Sequence, residues 1–487
     1  MAIIHWFRRD LRLHDNTALW HACRDTHNGD AGGGVIPVFI FDDAILRHSD
    51  CGAPIVRFML DCLTDLRTNI RSEGGDLIFL HGKPLERLQI LARQTKSKAI
   101  YYNKDYAPGA VERDEEIERV LAADGIELKG FKDQVIFEEQ EILTISGGEP
   151  YTIYTPYKNA WLNRLQKTEF QVLPKPKFNF PPLLKEVKGI AMPTAADLGF
   201  TSAHQIEIKA GETGGRTRLE EFCREKINGY KNNRDIPALD GTSRLSPHLR
   251  HGTISPRQCV EAALQVCGQV KMGDGRNSDG PDCWIGELIW RDFYQQVLFN
   301  FPHVEHEPFK QNLKWLKWRK SQADWTRWTS GQTGFPIVDA AMRQLNQTGW
   351  MHNRLRMIVA MFLTKDLLID YRLGERYFMQ NLIDGETAQN NGGWQWSAST
   401  GTDAQPYFRI FNPTSQSEKF DPSGVFIRKY CPELSEVPLR YIHSPQQMTD
   451  AEQRDSHCRI GVDYPAPMVD HAVARERAIQ TFKEARE

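Results

Sequence analysis

The chain lacks the signatures that most often declare a cofactor or a metal. No G-x-G-x-x-G follows any candidate strand, and there is no C-x-x-C pair and no H-E-x-x-H. The missing glycine loop excludes the usual dinucleotide turn. The missing pairs exclude the commonest zinc signatures. Nine cysteines are scattered through 487 residues, an odd number with no framework spacing. Free thiols in a reducing, cytoplasmic compartment are the expectation. No stretch approaches the roughly 20 apolar residues of a membrane helix. The opening "MAIIHWFRRDLRLHDN" does not read as a signal peptide, because Arg8, Arg9 and Asp10 interrupt its apolar run. Charge of one sign is also missing. Lys and Arg total 61 against 63 Asp and Glu, a net charge of -2. Nothing global draws this chain to a polyanion, so nucleic acid binding would need a local basic patch.

What is present is an ordinary globular composition, 40% hydrophobic and 25% charged, enough for a sizeable core. "IIHWF" from Ile3, "VIPVFIF" from Val35, "DLIFLHG" from Asp76, "AIYYNKD" from Ala99 and "IELKGF" from Ile126 read as strands. "IVRFMLDCLTDLRTNI", "PLERLQILARQ" and "VERDEEIERVLAAD" between them carry helical spacing. Such alternation predicts a Rossmann-like α/β unit with a parallel sheet over residues 1–135. Residues 136–210 are turn-rich and proline-rich, as in "SGGEPYTIYTPYKNAW" and "LPKPKFNFPPLL". They read as a long inter-domain connection packed on the surface through its tyrosines and Trp161. Residues 211–487 read as all-α. Seven of the twelve tryptophans fall between Trp284 and Trp350. That clustering assigns to the helical part either something aromatic to hold or unusually large core anchors.

Four stretches carry candidate chemistry. In "CWIGELIWRDFY", helical spacing puts Trp284, Glu287 and Arg291 on one side, with Trp290 bordering the same space. Glu287 is either the partner of Arg291 on a boundary face or a carboxyl inside an aromatic-walled pocket. In "GWMHNRLRMIVA", Asn353 and Met357 share a face, Arg354 and Arg356 suit phosphate or carboxylate, and His352 reads as a structural histidine. In "GTSRLSPHLRHG", Ser246 before Pro247 reads as an N-cap with proline at N1. "NNGGWQWSASTGTD" from Asn390 reads either as a packed loop with aromatic anchors or as part of a pocket for a flat molecule.

Taken together, "FRRDLRLHDN", "GTSRLSP", "WIGELIWRDFY", "TGFPIVDAAMRQLNQTGWMHNRLRMIVA", "LIDGE" and "NNGGWQWSASTGTD" resemble, in this order and across essentially the whole chain, the photolyase/cryptochrome family. The resemblance is to its bacterial-type class I cyclobutane pyrimidine dimer photolyases. It implies an all-α C-terminal domain that binds U-shaped FAD without a glycine loop. Tyr230, Thr242, Ser243, Leu245 and Ser246 would hold the phosphate side. Asn353 and Arg356 would lie along the cofactor, with Arg356 paired to Asp384 of "LIDGE", and Asn390 would sit by flavin N5. On the substrate side, Trp290 and Trp396 would wall a flipped-out dimer in double-stranded DNA. Glu287 would bond the pyrimidine edge, with Asn353, Arg354 and Met357 completing the wall, Trp284 at the mouth and Arg234 on the DNA backbone. Light would excite reduced, anionic FAD, one electron would open the cyclobutane ring, and the electron would return.

The same resemblance implies a relay that reduces the flavin, with Trp394 proximal and Trp318 exposed. Its middle position falls on Tyr371, where the family has tryptophan. The N-terminal unit would hold an antenna chromophore. Ala110, with Glu112 nearby, stands where folate-type members have a glutamate. The expectation is therefore 8-hydroxy-5-deazaflavin rather than methenyltetrahydrofolate. Arg8, Arg9 and Arg12 are either chromophore contacts or structural ion-pair residues. Met357 argues against (6-4) lesions, and Trp396 against the single-strand-preferring type. Asn390 and a short tail argue against the alternative, a signalling cryptochrome. A monomer without membrane or obligate protein partner is expected.

Overall fold

A computed structural model describes residues 2–27, 33–145, 147–181, 187–267 and 280–486. Residue 146 and residues 182–184 of the quoted connecting stretches lie outside them. Five apolar runs become strands: β1 (Ile3–Phe7), β2 (Val35–Phe41), β3 (Ile78–His81), β4 (Ala99–Asn103) and β5 (Glu127–Phe131). They form one all-parallel sheet in the order β3-β2-β1-β4-β5. β1 and β2 are buried along their whole length, as strands covered on both faces must be. The cover comes from α1 (Thr17–His27), the short α2 (Asp43–Leu46), α3 (Ala53–Ser72), α4 (Pro84–Thr95) and α5 (Pro108–Ala123). All three expected helices are found. The chain also forms α1, where "TALWHACRDTH" gives only a narrow buried face.

Polar side chains lock this unit and tie it to the helical part. Arg12, Asp15, Asp133 and Arg257 form one buried network. Arg12 reaches Asp133 at 2.7 Å, and Arg257 reaches Asp15 at 2.9 Å and Asp133 at 2.8 Å. Arg8 binds Asp114 at 2.7 Å, and Arg9 binds Asp105 at 3.2 Å and also Glu386. All three N-terminal arginines thus serve structural ion pairs. The strand order reverses between β2 and β4 beside β1, where open α/β sheets present their crevice. Arg9 and Asp105 stand at the ends of β1 and β4 there, and through Glu386 they reach the helical part.

The connecting span is more structured than a surface wrap. It forms α6 (Tyr154–Leu165), whose Tyr154, Tyr157 and Trp161 are buried in one cluster with Trp284 and Phe293. The helical part continues through α7 (Gly211–Glu225), α8 (Tyr230–Asn233), α9 (Ser246–His251), α10 (Pro256–Cys267) and α11 (Gly280–Asn300). Then come α12 (Gln322–Thr329), α13 (Pro336–Thr348), α14 (Asn353–Met361), α15 (Tyr371–Asn381) and α16 (Thr387–Ala398). It closes with α17 (Pro413–Phe420), α18 (Val425–Tyr430), α19 (Asp450–Asp455) and α20 (His471–Glu484).

Two readings are corrected here. "NNGGWQWSA" is not a loop but the body of α16. Gly392 is the residue that lets α16 cross α11, since a Cβ there would lie 2.1 Å from the Tyr294 ring. The helical run from Met351 to Tyr371 is also broken. α14 ends at Met361, residues Phe362–Asp366 wind wider as a π turn, and Leu368 takes a left-handed φ of 52°. Among the described residues, no helix is long and apolar enough to cross a membrane.

Candidate active site

α16 packs against both α11 and α14, and the three helices carry most of the expected substrate-side residues. On α11, Trp290 is half-buried. It lies flat on Tyr154, with ring centroids 3.6 Å apart and planes 7° from parallel. The Tyr154 hydroxyl donates to the Gly286 carbonyl at 2.6 Å, so α6 fixes the orientation of the wall. Glu287 does not pair with Arg291. Its Oε1 accepts from the Arg234 guanidinium at 2.6 Å, while Arg291 turns to Glu386 at 3.5 Å. Two expected DNA contacts are revised. Arg234 is not a free surface cation, for it also contacts Cys283 Sγ and lies 5.5 Å over the Tyr230 ring. Burial lowers its pKa, but Glu287, Tyr230 and Cys283 together raise it overall. Trp284 is 3% exposed, packed against Phe222 at 4.9 Å, and cannot sit at a mouth.

On α14, His352 precedes the first turn and its Nδ1 accepts from the Arg354 N–H at 3.1 Å. Burial pushes its pKa down to about 4, so it is a neutral helix cap. Asn353 is exposed at the helix start. Arg354 is pinned by Asp235 at 2.9 Å and touches Met357 Sδ at 3.6 Å. Arg356 makes the expected pair, reaching both oxygens of buried Asp384 at 3.1 and 2.8 Å. Behind it, Glu386 accepts from Gln295 at 2.6 Å, and Arg250 donates to the Gly385 carbonyl at 2.6 Å.

On α16, Asn390 donates its Nδ2 to the Glu375 carbonyl at 2.9 Å. The neighbouring Asn391 donates to the Glu375 carboxyl at 3.0 Å. Burial raises that carboxyl to about 8, so it is mostly protonated at neutral pH. Trp394 is buried at 2% exposure against Phe378, 5.0 Å away. Trp396 is half-buried. The two indoles therefore serve different sides of one helix, as two-residue spacing on a 3.6-residue turn requires.

The phosphate-side residues divide similarly. Arg218 holds the Ser243 and Thr242 carbonyls at 2.8 and 3.1 Å. Between them and α9, Arg244 is forced to a left-handed φ of 51°, the kind of strain that binding loops retain. Tyr230 and Leu245 are buried. Ser246 is exposed, and is the first helical residue rather than the cap, which is Leu245. Trp350 was not singled out in the sequence. Its Nε1 donates to Ser246 Oγ at 3.4 Å, with Arg244 stacked 5.0 Å over its ring.

Of the relay residues, Trp318 lies 6.3 Å from Tyr371. It is half-buried under Phe482 of α20 rather than fully exposed.

A flat polar group fits this arrangement. Buried polar atoms without partners fall on or beside the three helices: Arg291 Nε, His352 Nε2, Gln389 Oε1 and Trp394 Nε1. Buried groups of this kind are normally paired. A Cβ at Gly393 would meet open space, in contrast to Gly392.

Both halves of the chain match known proteins. Residues 3–177 match the model described as DNA photolyase, and residues 284–484 match the FAD binding domain of DNA photolyase. The chain belongs to the DNA photolyase family. A deoxyribodipyrimidine photo-lyase of Salmonella typhimurium is 41% identical over 99% of this chain and 98% of its own. One from Halobacterium salinarum is 42% identical over 99% of both. The crystal structure of a class III photolyase from Agrobacterium tumefaciens superposes with a TM-score of 0.89 at 35% identity, covering 99% of this chain and 97% of that one. An archaeal photolyase from Sulfolobus tokodaii, solved with two FAD molecules, gives 0.80 at 32% identity, covering 99% of this chain and all of its own.

Proposed function

We infer that this chain is a photo-lyase that uses light and reduced FAD to split cyclobutane pyrimidine dimers in DNA. One observation supports the reading: α16, which carries Asn390, packs against α11 with Glu287 and α14 with the Asp384-paired Arg356, in a chain that matches the photolyase models in both halves. We take residues 1–135 as the antenna unit, 136–210 as the connection and 211–487 as the catalytic unit.

When bound, reduced FAD supplies the light-excited electron. The chain supplies the rest. Arg356, held by Asp384 and by the Met351 carbonyl at 2.9 Å, places a fixed positive charge along the cofactor. Asn390, its Nδ2 anchored on the Glu375 carbonyl, would offer a neutral amide to flavin N5. Glu287 presents its second oxygen to the N–H groups of the pyrimidine edge, where it accepts and orients the dimer. Trp290, held flat on Tyr154, and Trp396 wall the flipped dimer and exclude water. Met357 and Arg354 close the wall, with Asn353 at its exposed edge. Phosphate contacts come from cations around this opening, and double-stranded DNA carrying dimers is the partner. In the antenna unit, Ala110 offers no carboxylate in the first turn of α5, which supports 8-hydroxy-5-deazaflavin over a folate. We take the enzyme to act as a cytoplasmic monomer.

The test is light-dependent loss of cyclobutane dimers from irradiated duplex DNA by purified protein carrying reduced FAD. The expected result is loss in blue light and none in the dark. No loss in the light with reduced flavin bound would favour the photoreceptor reading.

A further inference from the structure

The connecting segment reaches further into the site than its place in the chain suggests. Tyr154 opens α6, inside the stretch that matches the DNA photolyase model. Glu287, Trp290 and Trp396 lie in the stretch that matches the FAD binding domain. Yet the Tyr154 ring covers one face of Trp290, face to face at 3.6 Å with planes 7° apart. Tyr294, one turn on along α11, leans on the same indole at 5.4 Å and 32°. Phe293 meets it nearly edge-on at 5.6 Å and 83°. Three rings therefore fix the plane of Trp290.

The rest of Tyr154 is tied to two other parts of the dimer pocket. Its hydroxyl donates at 2.6 Å to the carbonyl of Gly286, the residue before Glu287. Burial and the Glu287 charge raise its pKa, so the phenol keeps its proton and stays a donor. Its backbone N–H donates to the Asp403 carboxyl, which stands at the start of α6, where an anion is favoured. Asp403 belongs to the loop that follows Trp396 and takes a left-handed φ of 44°. One tyrosine thus touches the wall on α11, the turn that carries Glu287 and the loop beyond the second wall.

We propose that Tyr154 is a positioning residue for the dimer: it sets Trp290 as the inner ring of a two-ring wall and holds Glu287 and the loop after Trp396 in register with it. The proposal deepens the repair reading above and rests on it. Without a backing ring, the Trp290 indole would be free to turn about its side-chain bonds, and stacking a pyrimidine on it would cost that freedom. Tyr154 removes the freedom before the substrate arrives, so more of the stacking energy appears as affinity. Undamaged duplex keeps its bases in the helix and gains nothing from the wall. Tyr154 touches no reacting atom, so its effect falls on binding.

The experiment measures, in the dark, how tightly the FAD-loaded protein binds a duplex carrying one cyclobutane dimer and the same duplex undamaged. Tyr154→Leu keeps an apolar filler but no flat ring. It is expected to weaken dimer binding about tenfold and undamaged binding less than about twofold. Tyr154→Phe keeps the ring and loses only the Gly286 bond, and should stay within about threefold of the wild type. Asp403→Ala, on the exposed loop, should weaken dimer binding about threefold, and it decides the matter if Tyr154→Leu fails to fold. In the light, the loss in Tyr154→Leu should appear in KM, with repair at saturating DNA moving far less. A tyrosine that only packs the core would accept leucine, so equal dimer affinities in Tyr154→Leu and wild type would overturn the proposal. So would a Phe variant as weak as the Leu variant, equal losses on both duplexes, or wild-type affinity in Asp403→Ala. Wild-type protein that binds both duplexes alike and repairs nothing in the light would instead overturn the repair reading.

Discussion

The Arg12–Asp133 network and the helical site treat buried polar groups in opposite ways, although Arg8 Nε and His21 Nδ1 beside the sheet are also left without partners. Around the sheet, Arg12, Asp133, Asp15 and Arg257 satisfy one another in a closed network. Around α11, α14 and α16, Arg291 Nε, His352 Nε2, Gln389 Oε1 and Trp394 Nε1 are left without partners. Left-handed backbone occurs in both regions, at Asp15 and Lys96 as well as at Arg244 and Leu368. A satisfied network has no use for a ligand, whereas an unsatisfied one is completed by a ligand. The first region is scaffold, and the second is prepared for a cofactor and a substrate.

The largest effect should come from breaking the scaffold. Arg12→Ala leaves Asp133 and Arg257 with an incomplete buried network and is expected to cost about 3–5 kcal/mol of stability. Chemical denaturation measures it, and a cost below 1 kcal/mol would make the network dispensable. Next come the two glycines of α16, which should respond differently. Gly392→Ala drives a methyl into Tyr294 and is expected to cost about 1–3 kcal/mol in the apoprotein. Gly393→Ala meets open space and should stabilise the apoprotein by about 0.5–1 kcal/mol. It should also weaken FAD binding by about tenfold. Equal effects of the two substitutions would remove the distinction.

The effect that is smallest at neutral pH comes from His352 and grows as pH falls. His352 is neutral when folded down to about pH 4, whereas unfolded it takes a proton near pH 6.5. Between those values the unfolded chain binds more protons, so stability is lost as pH falls. The loss reaches roughly 3 kcal/mol in full. His352→Asn keeps a cap acceptor and cannot titrate. Its melting temperature should fall less steeply than the wild type's between pH 6.5 and 4, and parallel curves would contradict the assignment.

The sheet was legible because β1 to β4 are mostly apolar and need no distant partner to be recognised. α16 was not, since two adjacent glycines read as a turn, and only the Tyr294 ring on another helix explains Gly392. α6 was hidden among tyrosines and turn residues, yet it carries the ring that orients Trp290. The site residues were named through the resemblance, but their partners were not. Helical spacing offered Arg291 to Glu287, while the fold delivers Arg234 from 53 positions away. Trp328 read as one of many clustered tryptophans, and its contact with Trp394 spans two helices far apart in sequence.

The central claim is that the unsatisfied region holds flavin and presents Glu287 to the dimer. Glu287→Ala tests it most directly, with flavin content and repair yield per absorbed photon measured on the same sample at saturating dimer-containing DNA. The account predicts full FAD content and a repair yield lowered by about tenfold. Loss of FAD with an undiminished yield per remaining flavin would contradict it and make Glu287 a structural residue.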